Sequence, residues 1–498
     1  MKPILKRTLT SVAVVAALAA APLANATNGY FKIGYGAKNR GMAGAGIAYG
    51  QDALASAVNP ATLAGMGNRV DAGVELFSPS QRQGAADATL MGGALSEEDS
   101  GATVFAIPNF GISMDMGGGM TAGLAVVANG GMNTRYGDAN GVPGSAGNIY
   151  FDAFSPAIPG FVPMVIGQVA TQLGGDPTDP TDPLTIQATN IVNTNAANLG
   201  ADAAKFNTLG INLSQLLITP TITYNINSHN AIGFSPVIAY QRFRAYGLGL
   251  FKAFSSDPDN LTNKGDDQSW GYGARVGYQG TFGMFSIGAT YTSKLNMQAF
   301  DNYAGLFAEK GDFDIPSTYG VGIAIHPTSS LTLAVDASRI KYSEVASINN
   351  PGPTADEFFG AFANALATGG GTNLTNALGK NDGWGFGWDD VDIVKVGVNY
   401  AYNSKWTFRA GYDYTQAPYK DKEALFNVLA PAVVQKHATA GFTYSPSATS
   451  ELTVAYMHAF RENLDYKYNG TGSFAGFSYS ASQAMSQNSI EASYAWKF

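Results

Sequence analysis

Beyond residue 68, apolar and polar residues alternate with a period of two in segments of about ten residues. Trp270, Tyr272, Ala274, Val276 and Tyr278 share one strand face, against Gly271, Gly273, Arg275, Gly277 and Gln279 on the other. Trp406, Phe408, Ala410, Tyr412 and Tyr414 oppose Thr407, Arg409, Gly411, Asp413 and Thr415 in the same way. This is the pattern of a transmembrane β-barrel strand, whose outer face meets lipid and whose inner face meets a lumen. The polar face must be the inner one, because an arginine facing mid-bilayer costs roughly 2 to 4 kcal/mol. The rule places seven strands near 69–78, 102–114, 119–129, 214–226, 229–244, 268–281 and 283–297. Seven more fall near 312–326, 329–343, 388–402, 404–416, 433–446, 449–464 and 486–498.

The connections give an independent check. Asp115 to Gly118, Asn227 to Ser228, the Gly280 region, Pro327 to Thr328, Asn403 to Ser404 and the Pro446 region are tight. Long stretches separate them, including 130–213 and 344–387. Short periplasmic turns alternating with long external loops, around an even strand count, describe a bacterial single-chain barrel. A soluble β-sandwich buries one face of each sheet against another and does not require that alternation.

The N-terminus supplies the route of export. Residues 1–26 begin with Lys2, Lys6 and Arg7, continue through an apolar run from Val12 to Ala21, and end in Ala24-Asn25-Ala26. That is the layout of a cleaved secretory signal, giving an expected mature start at Thr27. No later apolar run approaches the ~20 residues of a helical span. Only helices and closed barrels satisfy every backbone group in lipid, so the expected fold is all-β: a 14-stranded antiparallel transmembrane barrel over residues 67–498.

Composition agrees with that fold and narrows the partners. Only 13% of residues are charged, against 60 Gly, 25 Tyr and 28 Phe. Removing the three basic signal residues takes the formal charge from −8 to −11, and no basic block exists to track phosphates, so nucleic acid is excluded. The absence of cysteine rules out disulfides and thiolate metal sites. Ile490, Ala492, Tyr494, Trp496 and Phe498 line one face of the last strand. They form part of an interfacial aromatic girdle and resemble the C-terminal signal read by outer-membrane assembly machinery.

Residues 27–66 break the pattern. With Gly at 29, 34, 36, 41, 44, 46, 50 and 65, the segment alternates too weakly for a lipid-facing strand. Met42, Ile47, Leu54, Val58 and Leu63 offer buriable surface, so a plug within the barrel is expected rather than a periplasmic linker. In Asn59-Pro60-Ala61, proline fixes φ and the preceding residue is held extended, which bends the chain in a defined way.

Asn28-Gly29-Tyr30, Arg40-Gly41-Met42-Ala43-Gly44-Ala45-Gly46, Gln51-Asp52-Ala53 and Asn59-Pro60-Ala61 together resemble the N-terminal hatch of the outer-membrane long-chain fatty-acid and aromatic-hydrocarbon transporters of the FadL and TodX type. Ile107-Pro108-Asn109 and Asn129-Gly130-Gly131-Met132-Asn133-Thr134 resemble the same family. The resemblance implies passive uptake of a hydrophobic ligand, captured by external loops and released sideways into the membrane through a gap at an inward kink of strand three. It implies gate contacts for Asn59, Pro60, Ala61, Gly130 and Gly131, and a ligand pocket bordered by Tyr30, Phe31 and Tyr35. It further implies a monomer in the outer membrane of a Gram-negative cell, among lipid and lipopolysaccharide.

The loops point the same way. Phe161, Val162, Met164, Val165, Ile166 and Val169, then Phe358, Phe359, Phe362 and Leu366, are apolar at helical spacing, and Leu425, Phe426, Val428 and Leu429 add a third group. Such helices either pack on one another or expose a hydrophobic capture surface; Phe161, Met164, Phe358, Phe359 and Phe362 are the expected ligand contacts. Arg242, Arg244, Arg275, Lys294, Arg339 and Arg409 are candidate partners for a fatty-acid carboxylate.

Competing chemistry is thin. His229 and His326 fall at short turns, and His437 and His458 have no nucleophile or carboxylate at readable spacing, so no catalytic site and no cofactor are expected. A general porin needs a charged, water-filled constriction, which a Gly/Ala-rich plug fits poorly. The acidic stretches at 176–182 and 256–267 read as solvated loop rather than calcium or other metal sites.

Overall fold

The computed structural model describes residues 28–86, 96–137, 150, 158–204, 208–370, 374–476 and 478–498. The expected signal peptide lies outside these residues. Fourteen long strands form one closed antiparallel sheet. They are β1 Arg69–Ala86, β2 Phe105–Gly117, β3 Met120–Asn133, β4 Gly210–Asn225, β5 Asn230–Tyr246, β6 Asp267–Phe282 and β7 Phe285–Thr292. The second half holds β8 Thr318–Thr328, β9 Leu331–Ile340, β10 Val391–Ala401, β11 Trp406–Thr415, β12 Lys436–Ser447, β13 Ser450–Asn469 and β14 Ser478–Lys497. Each pairs with its sequence neighbour, and β1 closes on β14 from Arg69–Lys497 to Ala86–Ser480. Two short ribbons, Ser96–Asp99 on β1 and Asn296–Met297 on β6, are appended.

The alternation dictates which way each residue points. Trp270, Tyr272, Val276, Phe408, Tyr412 and Tyr494 stand on the outer surface, while Arg275, Arg409, Asp413 and Glu491 are buried within. Tight turns separate strand pairs; the β2–β3 turn runs through Gly117, Gly118 and Gly119, all at φ of 62° to 80°, where a side chain would be strained. The largest departure from the sequence reading is at the top of the sheet. β1, β13 and β14 extend as a ribbon to Ala86, Asn469 and Ser478, well past the expected 78, 464 and 486. Residues 478–485 read SYSASQAM, small and polar, so they carry no lipid-facing signal to count.

Residues 28–66 fill the lumen, meeting the sheet in a single β-bridge, Phe31 with Gly130 of β3. Helix α1 (Ala37–Arg40) and two 3-10 turns, Ala53–Ala57 and Pro60–Leu63, carry the segment's regular structure. Asp52 caps the first turn through Leu54 N–H, and Asn59 caps the second, its Oδ1 accepting from Ala61 N–H at 3.0 Å with Pro60 opening the turn. This is the defined bend expected at Asn59-Pro60-Ala61.

Inward glycines of the wall make room for the segment. A Cβ on Gly277 would stand 1.9 Å from Asn59 Oδ1, and one on Gly288 would stand 2.2 Å from Ile47 O. Wall carboxylates then bind it. Glu75 Oε2 meets Lys32 Nζ at 2.6 Å and Arg40 Nη2 at 2.9 Å, Glu491 Oε2 meets Arg40 Nε at 2.8 Å, and Glu451 Oε2 meets Lys38 Nζ at 2.5 Å. Asp336 Oδ2 accepts from Gly46 and Ile47 N–H at 2.7 and 2.9 Å. Such pairing offsets much of the cost of taking these charges out of water.

The ladder is interrupted in two places. β2 and β3 pair only from Phe110–Val126 down to Gly117–Met120. Above that level β2 stays on β1 up to Phe77–Phe105, while β3 follows β4 to Asn133–Asn212 with Asn129 bulged between Ala128 and Gly130. The second interruption lies between β4 and β5, whose pairs stop at Ile218–Ile238 and resume at Ile222–Phe234.

Candidate functional site

The external loops form a packed apolar layer over the barrel mouth. Helices α2 (Ile158–Leu173) and α3 (Pro183–Ala204) lie against α4 (Ala355–Thr368), which starts at a Thr354–Glu357 capping box and stops at Gly369 in the left-handed conformation. Phe161 lies 5.7 Å from Phe359 and 5.2 Å from Phe362, ring centre to ring centre, and Phe358 lies 5.8 Å from Phe254. The structure therefore brings Phe161, Phe358, Phe359 and Phe362 together, all buried, with Met164 half-buried at their edge. They make the core of the loop layer, packed on one another, rather than an open surface.

Beneath them opens an apolar pocket lined by Tyr150, Leu248, Phe251, Leu306, Phe307, Leu378, Trp384, Phe386, Phe426 and Leu429, with no charged side chain among the described residues. Its apolar lining suits a hydrophobic ligand. Of these residues only Phe426 and Leu429 stood out in the sequence. The missed signal was Trp384-Gly385-Phe386-Gly387-Trp388, three aromatics spaced by glycines just before a strand.

The pocket floor leads to the start of the luminal segment. Phe307 lies 4.8 Å from Phe313, and Phe313 lies 6.3 Å from Tyr30. Tyr30 also stands 5.0 Å from Phe31, 5.6 Å from Tyr342 and 6.0 Å from Trp388. Tyr342 fixes this collar: its hydroxyl donates to Asn28 O at 2.7 Å and accepts from Tyr30 N–H at 3.3 Å. Trp388 Nε1 donates to Asn427 Oδ1 at 2.6 Å.

Below the collar lies a larger cavity, walled by Phe31, Tyr35, Ile47, Val58, Leu217, Leu295 and Ile393, and by the charged Lys32, Arg275, Asp336 and Lys395. Among the six cation candidates, Arg242 and Arg244 face Asp266, Lys294 pairs with Asp314, and Arg339 with Asp392. Among the described residues, Arg275 and Arg409 have no acidic partner. Arg275 donates to Ala57 O and Thr292 Oγ1, Arg409 to Gln51 Oε1 and Thr443 Oγ1. Of the six, Arg275 and Arg339 border the cavity, and only Arg275 combines that position with an unpaired charge.

Gly130 and Gly131 sit where β3 leaves β2. The backbone of residues 125–133 is buried on both faces, so β3 turns into the lumen there. Gly131 N–H donates to Tyr30 O at 3.1 Å, Lys32 N–H donates to Asn129 O at 3.0 Å, and Tyr35 Oη donates to Asn129 Oδ1 at 3.1 Å. A Cβ on Gly130 would stand 1.8 Å from Tyr30 O. The gap is closed above by Gly101 N–H donating to Arg135 O at 2.7 Å and below by the Phe110–Val126 pair. Pro108, with no N–H to offer, occupies the unpaired stretch of β2. Asn59, Pro60 and Ala61 lie elsewhere: Asn59 Nδ2 donates to Tyr278 O at 2.9 Å, and Pro60 O accepts from Thr223 Oγ1 at 2.6 Å, which sets the bend against β4, β5 and β6.

One histidine departs from the sequence reading. His437 Nδ1 lies 2.8 Å from Asp413 Oδ1, a carboxylate on the neighbouring strand that sequence spacing hid. Asn28 Nδ2 reaches the other oxygen of Asp413, so the pair ties the wall to the luminal segment.

Residues 189–498 match the outer membrane protein transport protein family, described as OMPP1/FadL/TodX. The chain belongs to that family. The toluene transporter TodX of Pseudomonas putida shares the fold at 17% identity with a TM-score of 0.59, covering 95% of this chain and 100% of TodX. A Pseudomonas aeruginosa FadL homologue aligns at 14% identity and a TM-score of 0.57, over 94% and 100%. The Ralstonia pickettii toluene transporter TbuX aligns at 17% and 0.53, over 94% and 99%. No curated protein matches in sequence. As a member of the FadL/TodX family the protein is a monomeric barrel of the Gram-negative outer membrane and a channel for hydrophobic compounds.

Proposed function

We propose that the protein takes up long-chain fatty acids passively, through the apolar loop pocket, past the Tyr30 collar and into the Arg275 cavity, and releases them sideways between β2 and β3. The observation that carries the reading is the pairing of an uncharged aromatic pocket with a deeper cavity holding an arginine that lacks an acidic partner. A carboxylate with a long alkyl tail uses both. Lateral release suits such a ligand, since each buried CH₂ is worth ~0.8 kcal/mol that release into periplasmic water would forfeit. In this reading Tyr30, Phe31 and Tyr35 border the path, Gly130 and Gly131 shape the exit, and Asn59 to Ala61 anchor residues 27–66 as a hatch. Residues 1–26 serve as a cleaved signal, and the strand ending at Phe498 engages the assembly machinery beside lipid and lipopolysaccharide.

Aromatic hydrocarbon uptake by the same path is the second reading. It is favoured by the aromatic, uncharged lining of the upper pocket and by the likeness to toluene transporters. Mass spectrometry of lipid extracted from the purified protein, with oleate and toluene uptake by cells carrying or lacking it, tests both. Co-purified fatty acid and protein-dependent oleate uptake are expected. Protein-dependent toluene uptake with no effect on oleate would overturn the fatty-acid reading.

A further inference from the structure

The break between β4 and β5 has a simple origin. Register is constant across it, which sets Pro220 directly opposite Pro236, so neither strand can donate the two ladder hydrogen bonds due at that pair. On their other sides both strands remain paired, Pro220 with Leu124 and Pro236 with Ala274. Both prolines point outward, as their buried neighbours Thr219, Thr221 and Ser235 point in. The inner face is held by hydroxyls instead: Thr221 Oγ1 and Ser235 Oγ are 2.7 Å apart.

Unsatisfied backbone in lipid is expensive, and proline in the middle of a sheet is confined to edges and bulges. Two facing prolines inside a closed barrel therefore mark a seam held more weakly than its surroundings. Its inner side adjoins the lower cavity: Ser235 pairs with Arg275, and Arg275 donates to Ala57 O of the luminal segment. The Asn59-Pro60-Ala61 bend braces the wall just below, through Thr223. β4 ends at Asn225, so Pro220 stands about 16 Å along the strand from the periplasmic turn, in the periplasmic half of the bilayer. The β2–β3 gap opens higher, above Phe110.

We infer that the Pro220–Pro236 seam is a second lateral exit, through which an amphipathic acyl ligand held at Arg275 passes into the periplasmic leaflet. The inference rests on the uptake reading above. Moving aside Thr221 and Ser235 breaks one hydroxyl contact and no ladder hydrogen bond, the least costly opening in this part of the wall.

The protein has no cysteine, so P220C/P236C gives one defined cross-link across the seam. Labelled oleate uptake is measured in cells whose only such channel is the variant, oxidised and then reduced. Reduced, the cysteine pair supplies both missing N–H donors and is expected to take up oleate several-fold more slowly than wild type; oxidation is expected to slow it further, a step reversed by reductant. The pair P220V/P236V restores both N–H donors without a cross-link and is expected to slow uptake as well, which decides the matter if the cysteine pair does not fold. Wild-type rates in the fully cross-linked protein or in the folded valine pair overturn the seam as an exit. A wild-type protein no faster than the deletion strain removes the uptake reading itself, and the seam with it.

Discussion

Arg40 Nε lies 2.8 Å from Glu491 Oε2, with the two side chains 1% and 0% exposed. The contact joins the luminal segment to the last strand of the barrel. Asn109 Nδ2 holds the other oxygen of Glu491 at 2.7 Å, and Arg40 also reaches Glu75, so one guanidinium bridges β14 and β1. Removing one member of a buried pair leaves an uncompensated charge and costs ~3–5 kcal/mol. Arg40→Met and Glu491→Gln are therefore expected to loosen residues 28–66 while the sheet, closed by its own ladder, stays intact. Hydrogen exchange checks this: faster exchange confined to the luminal segment is the expected outcome, and unchanged protection would contradict it.

On the proposed path, Arg275 is expected to separate the two cargo classes. With Arg275→Met the cavity loses one of its two cations without an ion pair, Lys395 being the other. Oleate uptake is expected to fall about ten-fold, the equivalent of ~1.4 kcal/mol, with toluene uptake unaltered. Parallel uptake assays on one strain give both numbers. An equal fall in both would place Arg275 in the wall's structure and not in ligand selection.

The loop beside the collar carries a pH response. Partial burial and the neighbouring Asp314 and Glu309 carboxylates raise the Asp312 pKa from 3.8 to about 6, with Lys294 opposing. An acid whose folded pKa is raised destabilises the folded loop once ionised, so the cost is absent below its unfolded value and complete above its folded one. Between about pH 4 and pH 6 the loop loses stability as pH rises. Protection factors in residues 308–316, the exchange rates corrected for the intrinsic rate at each pH, are expected to be higher at about pH 5 than at about pH 7.5, and Asp312→Asn should abolish the difference. Persistence of the difference in that variant would contradict the assignment.

Much of this was legible in the sequence because a barrel in lipid allows few solutions. Outward Tyr272 and inward Arg275 could be assigned from alternation alone, since lipid and lumen accept opposite residues. Strand ends within the bilayer, such as Arg69, Asn230 and Trp406, fell within a few residues for the same reason. Ser478 to Met485 stood above that constraint and gave no sign of being strand. The site was less legible. Tyr30 and Phe31 were marked by resemblance, whereas Phe313, Tyr342 and Trp388, which close the collar around them, come from distant loops and meet only in three dimensions. Phe358 and Phe362 looked like a capture surface because helical periodicity reports an apolar face without saying what covers it; Phe161 and Phe254 cover it. The paired prolines at 220 and 236 were visible singly, and only register made them face each other.

The proposed lateral release through the β2–β3 gap depends on Asn129. It is the bulged residue between the Ala128–Leu216 and Gly130–Gln215 pairs, so deleting it puts both pairs in one register and lets β3 run straight beside β2. Uptake of labelled oleate by cells carrying the Asn129 deletion, with barrel folding verified by its heat-dependent gel mobility, is the most direct measurement. The account predicts a folded barrel that takes up oleate far more slowly than wild type; a folded deletion variant transporting at the wild-type rate would contradict it.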